Sequence, residues 1–442
     1  MRALRFVVLS LLGVAAPGAA LASAPDLLEQ SPEIAALGGA GAAFAQEFDA
    51  TFHNPAGLAF GGRGTFSAGY FRIASWLRIH EETRSIQQPD GIVVGLAEPV
   101  PLLLGGRLRV GLGVYLLPDT VVRVLTRLPD DPTYPLLENR TQRLVVLPGL
   151  AVRIFPWLSL GVAANFFAGL DGPASAVEGP TRAVETTVYE EIYARAGLLA
   201  GLRVEPWEHL RIALVYRQEF YVPYAVQTRN LVGGNAIDID VEARGLYTPH
   251  ELALGVGWDD GRWRASVEAT YERWGDQQQP YVRVRSVLPA VGPLIPPTLP
   301  SPFRDTVDLR LGLGRRIALA GRANSLELRV GGGFAPAAVA EQTGRQNLLD
   351  ADKVTSALGA GLVLGELDGR EVRIDASVSW LHLLPRVTEK ILSSVEAARE
   401  DPSLLADERP SDPGIQISNP GYPRLEASAD VLSVGLRLTV RR

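Results

Sequence analysis

The 442-residue chain contains no cysteine, which excludes a disulfide framework and a thiolate metal site. Beyond its first twenty residues it has no uncharged apolar run of about 18, so no helix can span a bilayer. It lacks G-x-S-x-G, and His250-Glu251 has no second histidine to complete H-E-x-x-H. Its five histidines stand singly, so neither a nucleophile elbow nor a zinc-protease helix is present. An excess of positive charge is also missing: the net charge of -6 argues against a polyanion-binding surface and hence against nucleic acid as a partner. The expectation is a protein that is not an enzyme and carries no cofactor or metal.

What the chain does have is length and apolar character. At 47% hydrophobic residues and this size, it forms either two or three domains or one large barrel. Arg2 and Arg5 precede an apolar stretch from Phe6 to Ala16 and an A-x-A site at Ala20-Leu21-Ala22, so residues 1–22 read as a secretory signal peptide. The exported chain is then either soluble in the cell envelope or crosses a membrane as strands.

Period-two alternation recurs over 63–442. In "TVDLRLGLG", Val307, Leu309, Leu311 and Leu313 oppose Asp308, Arg310, Gly312 and Gly314. "RWRASVEATYE" and "EVRIDASVSW" repeat the pattern, each with one apolar and one charged face. About fourteen strands can be placed, and the connections between them alternate strictly between short, turn-like ones and long, polar, Pro-rich ones. Such alternation predicts an all-β fold: a transmembrane antiparallel up-and-down barrel of the outer membrane, with both termini at the short-turn end. Seven tryptophans, Trp76, Trp157, Trp207, Trp258, Trp263, Trp274 and Trp380, fall near strand ends, where an interfacial girdle would sit. "VTEKILSSVEAARED" places Val387, Ile391, Leu392 and Val395 on one face of a short helix between the last two strands.

Residues 23–62 are not strand-like. They hold a run of small residues from Ala35 to Ala43 and then "DATFHNPAGLAF". Small side chains allow close backbone approach, and Asn-Pro stiffens a turn. A fourteen-stranded cylinder encloses a lumen that admits water unless filled, so this segment is expected to be a hatch plugging the lumen, the barrel proper being 63–442.

The stretches "ALGGAGAAFAQEFDATFHNPAGLA", "LRIALVYRQEF", "YTPHELALGVGWDDGRWRASVEATYERWG" and "AEQTGRQNLLDADKVTSALGAGL", in that order, resemble the outer-membrane hydrophobic-compound transporters of the long-chain fatty acid and toluene type (FadL/TodX-like). Asn54, Pro55 and Ala56, with Gly57, match the hatch signature of that family. Two departures stand out: His53 lies where an aromatic is common, and the last strand ends in Val440-Arg441-Arg442 instead of an aromatic. The resemblance implies passive uptake by a monomer, with a fatty acid or aromatic hydrocarbon as ligand and outer-membrane lipid as the receiving phase. Hatch movement would open a gap in the wall beside a kinked third strand. Gly111, Gly113 and Pro118 are the residues of that strand that could kink it, although Pro118 could equally end the strand at the rim. Arg217, Arg264, Arg310, Arg329 and Arg373 point inward and are candidate partners for a ligand carboxylate, or they satisfy the carboxylates of neighbouring strands. The competing functions are a diffusive porin and a surface adhesin or structural barrel.

Overall fold

The computed structural model describes residues 31–85, 88, 90–101, 103–116, 144–171, 174–178, 184–188, 191–232, 235–277, 282–288, 292–294, 302–319, 323–342, 347–367, 369–390 and 424–442, with side chains undescribed at 84–85, 167–195, 221–246, 282–294, 323 and 366–367. Fourteen strands form the barrel and are numbered along the chain: β1 Thr65–Ile79, β2 Asp90–Pro99, β3 Leu108–Leu116, β4 Val145–Phe155, β5 Leu158–Asp171, β6 Glu191–Trp207, β7 Leu210–Arg217, β8 Glu251–Asp259, β9 Trp263–Glu272, β10 Thr306–Ala318, β11 Ala323–Ala335, β12 Lys353–Leu367, β13 Arg370–Glu389 and β14 Arg424–Arg441. Each is antiparallel to its sequence neighbours, and β1 pairs with β14 from Thr65↔Arg441 to Ile79↔Ala427, which closes the cylinder. Closure matters physically because an open edge in hydrocarbon would leave unpaired backbone groups, each costing several kcal/mol, roughly.

The direction of the alternation settles what surrounds the barrel. Leu309, Leu311 and Leu313 are 43%, 56% and 43% exposed, whereas Asp308 and Arg310 on the same strand are buried. Among the described residues no second sheet covers the outward leucines, so the apolar face meets lipid and the charged face lines the lumen. Trp157, Trp207, Trp258 and Trp263 lie exposed at the short-turn end, and Trp76 and Trp380 toward the other end, as an interfacial girdle requires. Trp274 departs from this expectation: it is fully buried inside, stacked on Phe303 at 5.9 Å, and its indole N–H donates to Glu272 Oε2 at 2.6 Å.

Two expected strands, 208–227 and 237–258, are each divided. Their outer parts, Phe220–Val232 and Asn235–Thr248, leave the wall at 218–219 and 249–250 and join a separate six-stranded sheet built from the long connections. Of the expected helix, Val387 lies in β13, and everything from Ile391 to Pro423 is outside the described residues. Residues 1–22, expected to be a signal peptide, also lie outside them.

Residues 31–62 sit inside the cylinder. They form α1 (Pro32–Ala35), a 3-10 turn (Glu47–Asp49), α2 (Ala50–His53) and a second 3-10 turn (Pro55–Phe60). Ile34, Leu37, Phe44, Phe48, Phe52 and Leu58 are each at most 5% exposed, and such side chains contribute about 1.5–3 kcal/mol apiece when removed from water. The described part of the segment expected as a hatch over 23–62 is thus packed against the inner face of the wall.

Lipid exposure predicts a depth-dependent cost. Leu311→Arg, at mid-strand on the outer face, should cost about 2–4 kcal/mol of unfolding free energy in phospholipid vesicles, and Leu319→Arg, beyond the end of β10, about 0–1 kcal/mol. Equal costs at the two positions would contradict the assignment of the outer face.

Candidate functional site: a plugged lumen

The Asn-Pro-Ala-Gly signature is the knot that fixes the segment's fold. The Asn54 side chain caps the following turn by accepting from the Ala56 N–H at 3.1 Å, and its amide donates to the Ala42 carbonyl at 2.9 Å and to the Leu202 carbonyl of β6 at 3.3 Å. Pro55 occupies the first position of the turn, where a missing N–H costs nothing. Ala56 is fully buried, and its carbonyl accepts from Ser159 Oγ on β5 at 2.9 Å. Gly57 is there for space: a Cβ would stand 2.0 Å from the Ala45 carbonyl oxygen.

The wall is shaped to receive this segment by what its inner face leaves out. Inward-facing glycines on β2, β5, β6, β11 and β12 (Gly95, Gly161, Gly201, Gly331 and Gly359) meet Phe48, Pro55, Asn54, Gly38 and Ala36, each so closely that a Cβ would fall within 2.5 Å of an atom of the segment. Gly38 itself has φ of +69°, a backbone angle that suits glycine. Arginines finish the attachment: Arg109 of β3 donates to the Gly61 carbonyl at 2.7 Å and to Gly62, and Arg153 of β4 to Ala59 at 2.7 Å.

Charge does the rest. Glu33 of α1 pairs with Arg264 at 2.5 Å, Arg373 at 3.0 Å and Arg437 at 3.6 Å; Glu47 pairs with Arg441 at 2.6 Å; Asp49 pairs with Arg437. Of the five arginines expected as carboxylate partners, Arg264, Arg329 and Arg373 are thus brought together in one cluster with Glu33, Glu327 and Asp375, with Arg329 held at 3.0 Å by Glu327 and 2.8 Å by Asp375. Arg217 and Arg310 lie apart from it, paired with Glu251 at 3.5 Å and with Asp308 at 3.2 Å and Glu268 at 3.7 Å. Carboxylates of the protein occupy all five. Burial would raise the Glu33 carboxyl, but the guanidinium groups of Arg373, Arg329, Arg264 and Arg437 outweigh it and hold that pKa well below the usual range. At Asp49 burial wins over Arg437 and pushes the pKa up to about 6.

On the third strand, Gly111 and Gly113 face inward beside Leu58, Thr51 and Phe48 of the segment, and the strand is regularly paired on both sides. Pro118 lies outside the described residues. The wall is interrupted one strand further on. Between β4 and β5 the pairs run to Val146↔Phe166 and resume at Gly149↔Ala163, leaving Leu147 and Pro148 without partners on β5. Pro148 has no N–H to offer the ladder. Opposite Leu147, Asn165 Oδ1 is buried with no hydrogen-bond partner.

The lumen is not uniformly charged. Above the segment, Phe71, Ile73, Leu77, Val93, Tyr115, Val145, Leu147, Leu381 and Leu383 face inward and form one contiguous apolar cluster with Phe48 and Phe52. β1 carries apolar residues on both faces: Phe66, Tyr70 and Trp76 point outward with Arg72 and Arg78, while Phe71, Ile73, Leu77 and Ile79 point inward. Its both-faces-apolar pattern, "YFRIASWLRI", is the signal that could have revealed this. Toward the long-loop end, residues 336–342 and 347–352 fold into the mouth, where Asp350 Oδ2 accepts from the N–H groups of Ala338 and Val339 at 2.6 and 3.1 Å and Lys353 Nζ donates to the Pro336 carbonyl at 3.1 Å. The "DADK" stretch is thus a loop clamp. Beneath it a recess open on one side is lined by Leu77, Leu383, Leu425, Leu349, Arg386 and Lys390. Burial lowers the Lys390 pKa to about 8.

No protein-family model matches the chain, and no curated protein matches it. Solved structures do. The P. putida toluene transporter TodX aligns over 94% of this chain and 99% of its own, with TM-score 0.56 and 13% identity. The Ralstonia pickettii toluene transporter TbuX aligns over 94% and 99%, with TM-score 0.53 and 14% identity. A Pseudomonas aeruginosa FadL homologue aligns over 90% and 95%, with TM-score 0.54 and 12% identity. The fold that the sequence resemblance implies is the fold observed.

The raised pKa of Asp49 predicts how docking of the segment responds to pH. A docked-state pKa of about 6 against an ordinary 3.8 means that the docked form binds the proton more tightly, so docking strengthens as pH falls through 6. Glu33, with its lowered pKa, acts oppositely, its contribution being lost only below about pH 4.5. Ala59→Cys labelling by maleimide, normalised to labelling of the exposed Gly62→Cys, should therefore fall ~4-fold between pH 7.5 and 5.5. Asp49→Asn should flatten the curve, and a curve unchanged by that substitution would contradict the assignment.

Proposed function

We propose that the protein is an outer-membrane transporter for the passive uptake of hydrophobic compounds, with residues 23–62 as its hatch and lateral release into the bilayer. Residues 1–22 export it. The observation that carries this reading is a lumen blocked by the chain's own N-terminal segment, with an apolar inner sector that leads to a seam in the wall. Phe48 and Phe52 of the segment join Val93, Tyr115, Val145 and Leu147 of β2 to β4, and the unpaired stretch at Leu147-Pro148 lies within that sector.

The physical logic favours a sideways route. An apolar ligand gains about 0.8 kcal/mol per CH₂ on entering lipid and would lose as much crossing a water-filled pore. The recess at the mouth, with Leu77, Leu383 and Leu425 on its walls, offers such a ligand apolar surface to land on. The hatch, seated by glycines and buried ion pairs, closes the axial path. Exit is assigned to the β4–β5 seam at Pro148, where fewer ladder hydrogen bonds have to break. Toluene is the cargo named for the TodX and TbuX neighbours, and compounds of that kind or fatty acids are the ligands to try first. A diffusive porin has no use for the plug, and a structural barrel has no use for the apolar inner sector.

Deleting residues 31–62 should turn a tightly closed channel in planar bilayers into a steadily conducting one, whereas unchanged low conductance would remove the hatch from the account. Pro148→Val should restore ladder pairing at the seam and slow cellular uptake of toluene or oleate. Uptake that persists at the wild-type rate would move the exit elsewhere.

A further inference from the structure

Every phenylalanine of residues 31–62 lies under a guanidinium of the wall. Arg211 of β7 and Arg264 of β9 stand 5.0 and 4.9 Å from the centre of the Phe44 ring, and Arg437 of β14 stands 5.5 Å from that of Phe48. Arg217 of β7 is 4.1 Å from Phe52, and Arg153 of β4 and Arg203 of β6 are 4.5 and 4.3 Å from Phe60. Significant pairs of this kind occur about once per 70–80 residues, so six between one short segment and its surroundings are a built feature. The negative face of a ring attracts a cation, most strongly where water is excluded.

The contacts divide the segment. Up to Asp49 it meets the wall through carboxylates, Glu33, Glu47 and Asp49 each holding an arginine of β9, β13 or β14. From Ala50 to Gly62 it has no carboxylate, and the arginines facing it find carbonyls and rings. Arg217 donates to the Phe52 carbonyl at 3.0 Å, Arg153 to that of Ala59 at 2.7 Å and Arg109 to that of Gly61 at 2.7 Å. For Arg203 the partner is a ring. This side chain is fully buried, its Nη2 donates to Glu205 Oε1 at 2.5 Å, and its Nε and Nη1 have no hydrogen-bond partner. A charge buried in this way is costly unless something compensates it, and the Phe60 ring is the group placed to do so.

From this geometry we propose that cation–π contacts latch the C-terminal half of the segment, with Phe60 as the positioning residue that holds it on β4 and β6. The latched part lies next to the interrupted ladder, on its short-turn side: Gly149 of β4 meets Thr51 and Leu58, and Gly161 of β5 meets Pro55, while the unpaired residues are Leu147 and Pro148. Weakening the latch frees the segment where it covers the β4–β5 wall and leaves the ion-paired half on β9, β13 and β14 in place. The latch stands on these contacts alone; its bearing on opening rests on the transport reading above.

The test replaces Phe60, in the full-length protein in lipid nanodiscs, by 4-fluoro-, 3,4,5-trifluoro- and pentafluorophenylalanine, which drain charge from the ring face with little change of shape. Backbone exchange of residues 56–61 should accelerate stepwise along the series, reaching ~10-fold with the fully fluorinated ring. Exchange equal to that of the unmodified protein throughout would mean that the ring acts by packing, and would overturn the proposal. Arg203→Met should cut the full step to about 3-fold, since two guanidinium groups share the ring, and an undiminished step would overturn the assignment to Arg203. In planar bilayers, channel openings should become more frequent in the same order. Graded exchange with unchanged channel behaviour would leave the latch standing and contradict the transport reading.

Discussion

A charged inner wall cannot stay dry and unpartnered, and this constraint organises the molecule. Strands that present leucine and valine to lipid must turn their other face inward, and on β9, β11, β13 and β14 that face carries arginine and carboxylate. Glu33, Glu47 and Asp49 of the N-terminal segment supply charges that the wall's own residues do not fully balance around Arg264, Arg373, Arg437 and Arg441. Removing one member of such a buried cluster strands the others, at about 3–5 kcal/mol. The plug is therefore part of the electrostatics of the barrel as well as an obstruction in it.

The second organising feature is absence of volume. Glycines on the inner face let the segment's backbone lie against the wall, and the segment's small residues answer them. Where the wall carries phenylalanine, tyrosine and leucine in place of charge, as on β1 to β4 and the upper part of β13, the lumen above the plug becomes apolar. The charged half holds the segment, the apolar half lies beside and above it, and the interruption of the β4–β5 ladder lies on the apolar side.

Much of this was legible in the residues. Period-two alternation in "TVDLRLGLG" and its relatives, together with alternating connection lengths, gives the strand count and the facing of the strongly alternating strands, but not of β1. Small residues followed by Asn54-Pro55-Ala56-Gly57 give a compact, non-strand insert. Other features were hidden because they depend on which strand stands opposite which. Five inward arginines can be read from parity, yet only pairing across β9, β11 and β13 shows that carboxylates already hold them. Trp274 sits near a strand end like the girdle tryptophans, and only the fold of 302–305 against it turns it inward. Pro148 sits mid-strand in "VVLPGLAV", where a proline argues against a regular central strand, but its consequence falls on the β5 side alone.

The most direct test of a plug held by charge and close packing is backbone amide exchange on the lipid-embedded protein. Amides of residues 34–61 should be protected to a degree approaching the barrel strands, and raising the salt concentration alone should leave them protected, because pairs this deeply buried are poorly screened. Exchange of those amides at the rate of a free peptide, with the strands still protected, would contradict the account.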